Sequence, residues 1–297
     1  MKFKYHISQQ ETVKAFLARH DFSKKTVSAI KNNGALIVND EPVTVRKQLM
    51  PNDILEIHLP REIPSVNLIP YARKLEVLYE DVFIIIVTKP NNQNCTPSRE
   101  HPHESLIEQV LYHCQEHGEN INPHIVTRLD RNTTGIVIFA KYGHIHHLFS
   151  KVNLKKIYTC LVYGKTHTSG IIEANIRRSK DSIITREVAS DGKYAKTSYE
   201  VINQNDKYSL CKVHLHTGLH IKFVYIFNIL GIQLWEILCM MVFMTKFMVK
   251  YCNVRKYILF IQSKRTIFIL QLIISNYLNY SINSNSHRGC KYVNEHR

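Results

Sequence analysis

Apolar residues recur along the first part of the chain with periods that predict short helices followed by strands. In residues 8–18 and 24–32 the apolar positions fall at helical spacing. Two β-branched segments follow, ALIVND and EPVTV, joined by Asn39-Asp40, which is a hairpin signal. The strand ILEIHL comes after a Pro-Asn-Asp turn. This pattern predicts a compact helix–hairpin domain of residues 1–60, followed by a proline-containing linker at 61–72.

The pattern changes to longer apolar runs after the linker. FIIIVTKP indicates a buried strand, and HESLIEQVLYHCQEHG indicates an amphipathic helix. A polar loop then precedes the apolar strand of residues 136–139. We therefore expect an α+β fold in which residues 73–218 form a mixed, mostly antiparallel sheet with flanking helices.

Composition narrows the class of partner and the cellular location. Lys and Arg outnumber Asp and Glu by 39 to 24, which favours an anionic partner such as nucleic acid. The seven cysteines never form a C-x-x-C pair, so they fit reduced thiols rather than a zinc ribbon. The N-terminus has no apolar signal segment, and we expect a cytoplasmic protein.

The polar loop before the strand of residues 136–139 carries the candidate chemistry. Asp130 stands between Arg128 and Arg131, whose charges favour an ionised carboxylate that could act as a nucleophile or as an ion-pair partner. Arginine–aspartate loops of this kind are more often structural ion pairs, so the residues alone leave both readings open.

The segment RLDRNTTGIVIFAK resembles the catalytic signature of RluA-type pseudouridine synthases of the large ribosomal subunit. Arg128, Leu129, Asp130, Thr133 and Gly135 fall on that motif, while Thr127 and Thr134 replace its usual His and Ser. VLYEDVFIIIVTKP and KKIYTCLVYGK resemble the flanking blocks of the family. The resemblance covers about residues 8–218.

The resemblance implies a role for each matching residue. Asp130 would be the nucleophile that acts on a base-flipped uridine. Arg128 would contact the RNA backbone or fill the space of the flipped base, and Arg131 and Lys156 would bind RNA. Tyr158 would pack against the uracil and is a candidate base. A single carboxylate suffices for this reaction, so no metal or cofactor is implied. His144, His146 and His147 are expected to form a surface turn rather than a metal site.

The N-terminal block resembles the small RNA-binding domain shared by a ribosomal small-subunit protein and many RNA-modifying enzymes. Its basic residues could neutralise phosphates without reading sequence, although a solvated basic face would have the same composition. The candidates are Lys24, Lys25, Lys31, Arg46 and Lys47. We expect an RNA partner, ribosomal in preference to transfer RNA, bound by a monomer.

The composition changes abruptly at residue 219. Residues 219–297 contain no Ala, Asp or Pro. The run of residues 223–249 is long enough to span a bilayer. A membrane anchor is therefore one reading of this segment, but a Glu inside a bilayer is costly and we expect no membrane partner.

A shift of reading frame explains this segment in a single step. The family's final motif, R-T-H-Q-I-R-V-H, should follow Gly218, where the chain reads LHIKFVY. The codons of these residues, read one nucleotide earlier, permit Thr-His-Gln-Ile-Arg. The same shift turns GIQLWEI into the family's L-G-H-P-x-x-G-D. We therefore interpret residues 219–297 as an out-of-frame tail and expect a catalytic sheet truncated at its end.

Two functions from different classes follow. The first is an RNA pseudouridine synthase, an isomerase that uses Asp130. The alternative is a catalytically inactive RNA-binding protein that has lost the final motif.

Overall fold

The computed structural model describes residues 1–152, 154–179 and 186–217, together with the backbone of residues 234–249, 254–263 and 266–269. The first eight elements are β1 Lys2–His6, β2 Glu11–Thr12, α1 Val13–Arg19, α2 Lys24–Asn33, β3 Ala35–Val38, β4 Glu41–Pro42, β5 Gln48–Leu49 and β6 Ile54–His58. Their main sheet has the order β1-β6-β3-β4, and β2 pairs with β5.

Local sequence signals account for the ends of these helices and for the hairpin. Helix α1 begins five residues later than the start of the predicted segment, because the Thr12 hydroxyl accepts a hydrogen bond from the Ala15 amide. Ser23 caps α2 in the same way. Asn39 and Asp40 both have positive φ angles, of 50° and 68°, as the tight turn between β3 and β4 requires. The predicted helices and hairpin are confirmed.

The second part of the chain forms a large sheet with two short helices. Its elements are β7 Val77–Glu80, β8 Ile84–Lys89, α3 Leu106–Glu116, β9 His124–Ile125, β10 Gly135–Ala140, α4 Gly143–Phe149, β11 Lys155–Tyr163, β12 Ser169–Arg178, β13 Arg186–Val188, β14 Lys193–Gln204, β15 Tyr208–Leu215, β16 Leu234–Val249, β17 Val254–Ser263 and β18 Thr266–Ile269. The strand order is β13-β12-β14-β15-β11-β16-β10-β8-β7.

The core of this sheet lies at β8 and β10, whose central residues are fully buried. Both strands are continuous apolar runs rather than alternating ones, because consecutive side chains, and so both faces of each strand, are buried. Among the described strands the pairings are antiparallel except that of β10 with β16. The expected α+β architecture with a mostly antiparallel sheet is therefore confirmed.

The end of the sheet differs from the expectation of a truncated edge. Strand β16 pairs with β11 on one side and with β10 on the other. Backbone pairing depends little on side-chain identity, and a segment that contains one Trp, one Ile, two Phe and two Val has high strand propensity. The expectation of a sheet left open at this place is therefore wrong for the described backbone. Residues 219–225, which replace the final motif, lie outside the described residues.

The described part of the chain contains no helix that fits the membrane-anchor interpretation. Residues 234–249 of the proposed span are strand. No helix among the described residues is both long and apolar enough to cross a bilayer.

The N-terminal module packs on helix α4 through a histidine that the sequence placed on the surface. The ring of Phe22 stacks on His144 with centroids 4.2 Å apart, and Phe3 meets the same imidazole edge-on. Asp21 forms an ion pair with Lys151 just beyond the helix. His144 is buried, so its assignment to a surface turn is wrong. An imidazole ring, like a phenyl ring, can fill an apolar contact between two packed parts of a protein.

The linker adds a polar contact to the same seam. Glu62 accepts hydrogen bonds from the Gly143 amide at 2.7 Å and from the imidazole of His124 at 2.5 Å. The separation of residues 1–60 and 73–218 into two domains joined by a linker at 61–72 stays a prediction.

Acid should weaken the fold through His144. Burial lowers the pKa of His144 to about 4, and His147 lowers it further, while Asp21 and Glu62 oppose the shift. Between pH 6.5 and about 4 the unfolded chain takes up a proton that the folded chain refuses, so stability should fall as the pH drops by up to roughly 3 kcal/mol. His144→Phe should remove this component, as measured by urea unfolding at pH 7 and pH 4.5. Equal acid sensitivity in the parent and the variant would contradict the assignment.

Candidate active site

The loop between β9 and β10 presents a single exposed carboxylate. Asp130 is exposed, whereas the flanking Leu129 is buried under the loop. The Asp130 carbonyl accepts a hydrogen bond from the Thr133 amide at 3.1 Å, which closes a turn behind the carboxylate. Gly135 then enters β10 with a φ of 129°, a backbone conformation that favours glycine. The motif glycine therefore has a structural reason.

One transverse row of the sheet brings the motif residues to the same level. Gly135 of β10 pairs with Lys89 of β8 on one side and with Met240 of β16 on the other. Met240 in turn pairs with Tyr158 of β11. Directly paired residues project from the same face of a sheet. Burial lowers the pKa of Lys89 and raises that of Tyr158, and the negative charge of Asp130 makes a smaller, upward contribution to the pKa of both groups. The carboxylate, the phenol and the ammonium group therefore form one electrostatic cluster.

Tyr158 is buried beside this carboxylate. Burial raises the pKa of its phenol, and the charge of Asp130 raises it further. The phenol is therefore protonated at neutral pH, which favours packing or hydrogen-bond donation over action as a base. Lys156 lies two residues earlier on β11 and so projects from the same face as Tyr158. Burial lowers the pKa of Lys156.

Lys89, which ends β8, is fully buried and anchors the loop. Its ammonium group donates to the carbonyls of Pro90 and Gln93 at 2.8 Å and of Arg131 at 2.9 Å. Burial lowers the pKa of Lys89 to about 8. The lysine was visible in the sequence as the end of a K-P block. Its contact with residue 131 could not be seen there, because 42 positions separate the two residues.

The two arginines of the loop have different surroundings. Arg128 is exposed. Arg131 is half-buried, and its Nε donates to the side chain of Asn92 at 2.9 Å. Thr127, which stands where the family motif has His, is buried and accepts a hydrogen bond from the Ile138 amide at 3.0 Å. The threonine therefore ties the start of the loop to β10.

The basic candidates of the N-terminal module lie outside this cluster. The lysines are exposed on α2, and the other two residues are exposed in the turn between β4 and β5; they are Lys24, Lys25, Lys31, Arg46 and Lys47. The structure thus places Arg128, Asp130 and Arg131 on one loop and Lys156 and Tyr158 on β11, whereas the five basic candidates are exposed on the N-terminal module.

Three potential metal ligands lie close together in the part of the chain that the structure describes. Glu80, Cys114 and Glu119 place their ligand atoms within 4.8 Å of one another. The ammonium group of Lys141 lies among them, 2.8 Å from Glu80 and 2.5 Å from Glu119. Burial raises the pKa of Glu80, but hydrogen bonds from His113 and Lys141 outweigh it and hold the value at about 2. The lysine supplies the cation that this acidic pair requires.

Comparisons with known proteins point to one family. The model described as RNA pseudouridylate synthase matches residues 83–220. The uncharacterized RNA pseudouridine synthase YjbO of Bacillus subtilis is 35% identical over 213 residues, which are 70% of this chain and 75% of that protein. The ribosomal large subunit pseudouridine synthase D of Neisseria meningitidis is 26% identical over 203 residues, covering 67% of this chain and 54% of that protein. The solved structure of human RNA pseudouridylate synthase domain containing 1 covers 61% of this chain and 80% of its own, with 15% identity and a TM-score of 0.47.

Proposed function

Because this chain belongs to the RNA pseudouridine synthases, a family of isomerases, we propose that, with its reading frame restored after codon 218, it converts uridine to pseudouridine in structured RNA with Asp130 as the catalytic carboxylate. The observation that carries the proposal is the exposed Asp130 carboxylate. It lies on a loop whose neighbouring Leu129 is buried, and its charge acts on the pKa values of Tyr158 and Lys89. An exposed acid on a rigid support can meet a substrate without moving the protein core.

The reaction is an isomerisation, so nothing is added to or removed from the nucleotide. The bond between the ribose and N1 of uracil breaks, the base turns, and a new bond forms from the same ribose carbon to C5. The proton on C5 leaves and N1 gains one. A stacked base hides its glycosidic bond, so the target uridine must be flipped out of the RNA. Asp130 would act on this flipped nucleotide, either at the sugar or at the base, and Tyr158 would pack against the uracil.

The positive side chains would hold the RNA around the flipped base. Arg128 is exposed beside the carboxylate and would contact the RNA backbone or fill the space that the base leaves. Arg131 and Lys156 would bind neighbouring phosphates. The five basic residues of the N-terminal module would bind a second stretch of the same RNA through its phosphates.

Ribosomal RNA is the proposed substrate. The name of the Neisseria relative states a large-subunit ribosomal substrate for that protein. The resemblance of residues 1–60 to a domain of a ribosomal protein favours the same class. We propose a monomer that works in the cytoplasm and needs no cofactor.

A catalytically inactive RNA-binding protein is the second candidate. It is favoured by the sequence LHIKFVY after Gly218, where the family's final motif would supply an arginine partner for Asp130. We propose that a one-base deletion near codon 219 put residues 219–297 out of frame and removed that arginine.

Pseudouridine mapping tests the proposed function directly. In cells that lack the gene, the frame-restored gene should add one or a few pseudouridines to ribosomal RNA, and the unrepaired gene should add none. Pseudouridines added only to transfer RNA would overturn the substrate class, and an unchanged map with the frame-restored gene would overturn the activity.

The basic face of the N-terminal module should control the salt dependence of RNA binding. Changing Lys24, Lys25 and Lys31 together to Gln should weaken binding equally for RNAs of different sequence and reduce the salt slope by about 2. The measurement is RNA affinity between about 50 and about 200 mM salt, a range in which affinity that depends on phosphate contacts falls steeply. The control is a variant with Gln at Lys165, just beyond the end of β11, and at Lys207, in the turn between β14 and β15. An unchanged slope in the triple variant would assign these lysines to a solvated face.

A further inference from the structure

The chain neighbour that precedes Asp130 is held by a thiol. Cys95 Sγ lies 3.3 Å from the Leu129 amide nitrogen and 3.3 Å from the Leu129 carbonyl oxygen. The thiol accepts from the first group and donates to the second. Both Cys95 and Leu129 are buried, so neither backbone group has ready access to water at this place.

The chain neighbour that follows Asp130 is held by the same segment. Lys89 donates to the Arg131 carbonyl, and Asn92 accepts from the Arg131 side chain, each at 2.9 Å. Residues 89–95 therefore form hydrogen bonds to the backbone of Leu129 and of Arg131, on both sides of Asp130, while the carboxylate itself remains exposed.

Residues 89–95 are themselves fixed to helix α3. The amides at the start of that helix donate to the carbonyls of Asn94 and Cys95, from Leu106 at 2.8 Å and from Ile107 at 3.1 Å. The side-chain amide of Gln93 donates to Gln109 at 3.0 Å. The segment is a short bracket between a buried helix and the loop of Asp130.

The backbone amide and carbonyl of Leu129 need a side chain that accepts one hydrogen bond and donates another. Burial raises the pKa of the Cys95 thiol, so it keeps its proton at neutral pH. A thiolate could only accept, and an apolar side chain could do neither. Loss of the thiol would leave a buried N–H and a buried C=O without partners.

We propose that Cys95 is a positioning residue for Asp130, acting through its two hydrogen bonds to the Leu129 backbone. The proposal rests on the proposed catalytic role of Asp130. Cys95 does not touch the reacting atoms; it fixes the backbone from which the carboxylate projects. A displacement of about 1 Å at a catalytic group can cost as much as about 100-fold in rate, so this support should influence turnover.

Four substitutions separate hydrogen bonding from packing. Cys95→Ala removes both the thiol and its volume, Cys95→Val fills the site with a slightly larger apolar side chain that makes no hydrogen bonds, and Cys95→Ser restores a group that donates and accepts. Cys114→Ala is the matched control, because Cys114 is an equally buried thiol on α3. Each variant is made in the chain as given and in a chain with the frame restored after codon 218.

The first readout is amide hydrogen exchange, which does not depend on activity. Cys95→Ala and Cys95→Val should speed exchange at Leu129 and its loop at least about 10-fold while β10 stays protected, and Cys95→Ser should return it toward the parent. Cys114→Ala should lower the melting temperature and leave the loop unchanged. Normal exchange in Cys95→Val would mean that Cys95 only fills space, which overturns the proposal.

The second readout is pseudouridine formation by the frame-restored chain. Cys95→Ala and Cys95→Val should lower kcat about 10-fold with KM unchanged, and Cys95→Ser should recover most of it. Unchanged kcat in both, or a loss confined to KM, would overturn the positioning role. A parent chain that forms no pseudouridine, while Cys95→Val still loosens the loop, would refute the proposed function and leave the bracket standing.

Discussion

Asp130→Asn is expected to abolish pseudouridine formation and to leave RNA binding intact. The amide has nearly the shape of the carboxylate but lacks the negative charge and the nucleophilic oxygen that the reaction requires. Since Asp130 is exposed and its backbone is held by neighbouring residues, the loop should keep its conformation in the variant. The rate in the frame-restored chain should fall at least about 1000-fold. Turnover and RNA affinity measured on the same preparation check both parts.

A second aspartate provides the matched control for this experiment. Asp206 is exposed in the turn between β14 and β15 and forms a surface ion pair with Lys165 at 2.7 Å. Surface pairs of this kind contribute less than about 1 kcal/mol, so Asp206→Asn should turn over like the parent. Asp130→Asn turnover within about tenfold of the parent would remove Asp130 from the role of nucleophile.

Insertion of one nucleotide at codon 219 is expected to turn an inactive chain into an active one. The restored frame would supply the Thr-His-Gln-Ile-Arg segment, and its arginine would pair with Asp130 in the cluster that also contains Tyr158. Without that partner, the carboxylate lacks the charge that orients it, and the chain as given should bind RNA but form no pseudouridine. The measurement is pseudouridine formed per chain in the two proteins under identical conditions.

The control for the frame experiment is an insertion of three nucleotides at the same codon. It lengthens the chain by one residue and leaves the tail in its present frame, so it should stay inactive. Equal activity of the given and the restored chains would show that residues 219–297 are a genuine part of the enzyme. In that case the strand at 234–249 between β10 and β11 would be the element that completes the sheet.

The predictability of the site follows from how far apart its contacts lie in the sequence. The loop that holds Asp130 was predicted as the active site from its resemblance to a continuous family motif, since its residues alone also fitted a structural ion pair. Tyr158 was carried over from a second block, and the structure places it in the same row as Gly135. The role of Tyr158 as a base was predicted from family alone, and the raised pKa of the buried phenol weighs against it.

Elements whose signals are local could be predicted from the amino-acid sequence alone. The apolar runs of β8 and β10, the capped start of α2 and the Asn39-Asp40 hairpin depend on propensities within a few residues of each other. Such signals survive in any context because they follow from side-chain shape, capping and backbone conformation.

The side chains that support the site and join the two parts of the chain became visible only in the folded structure. Cys95 meets Leu129 across 34 positions, and His144 leaves the surface because Phe22, far away in the sequence, stacks on it. No local sequence pattern predicts these contacts, since a cysteine or histidine has the same sequence neighbours whether or not a residue distant in the sequence packs against it. Burial and hydrogen bonding at such positions are properties of the packed core, where partners are selected by shape and by the need to satisfy every buried polar group.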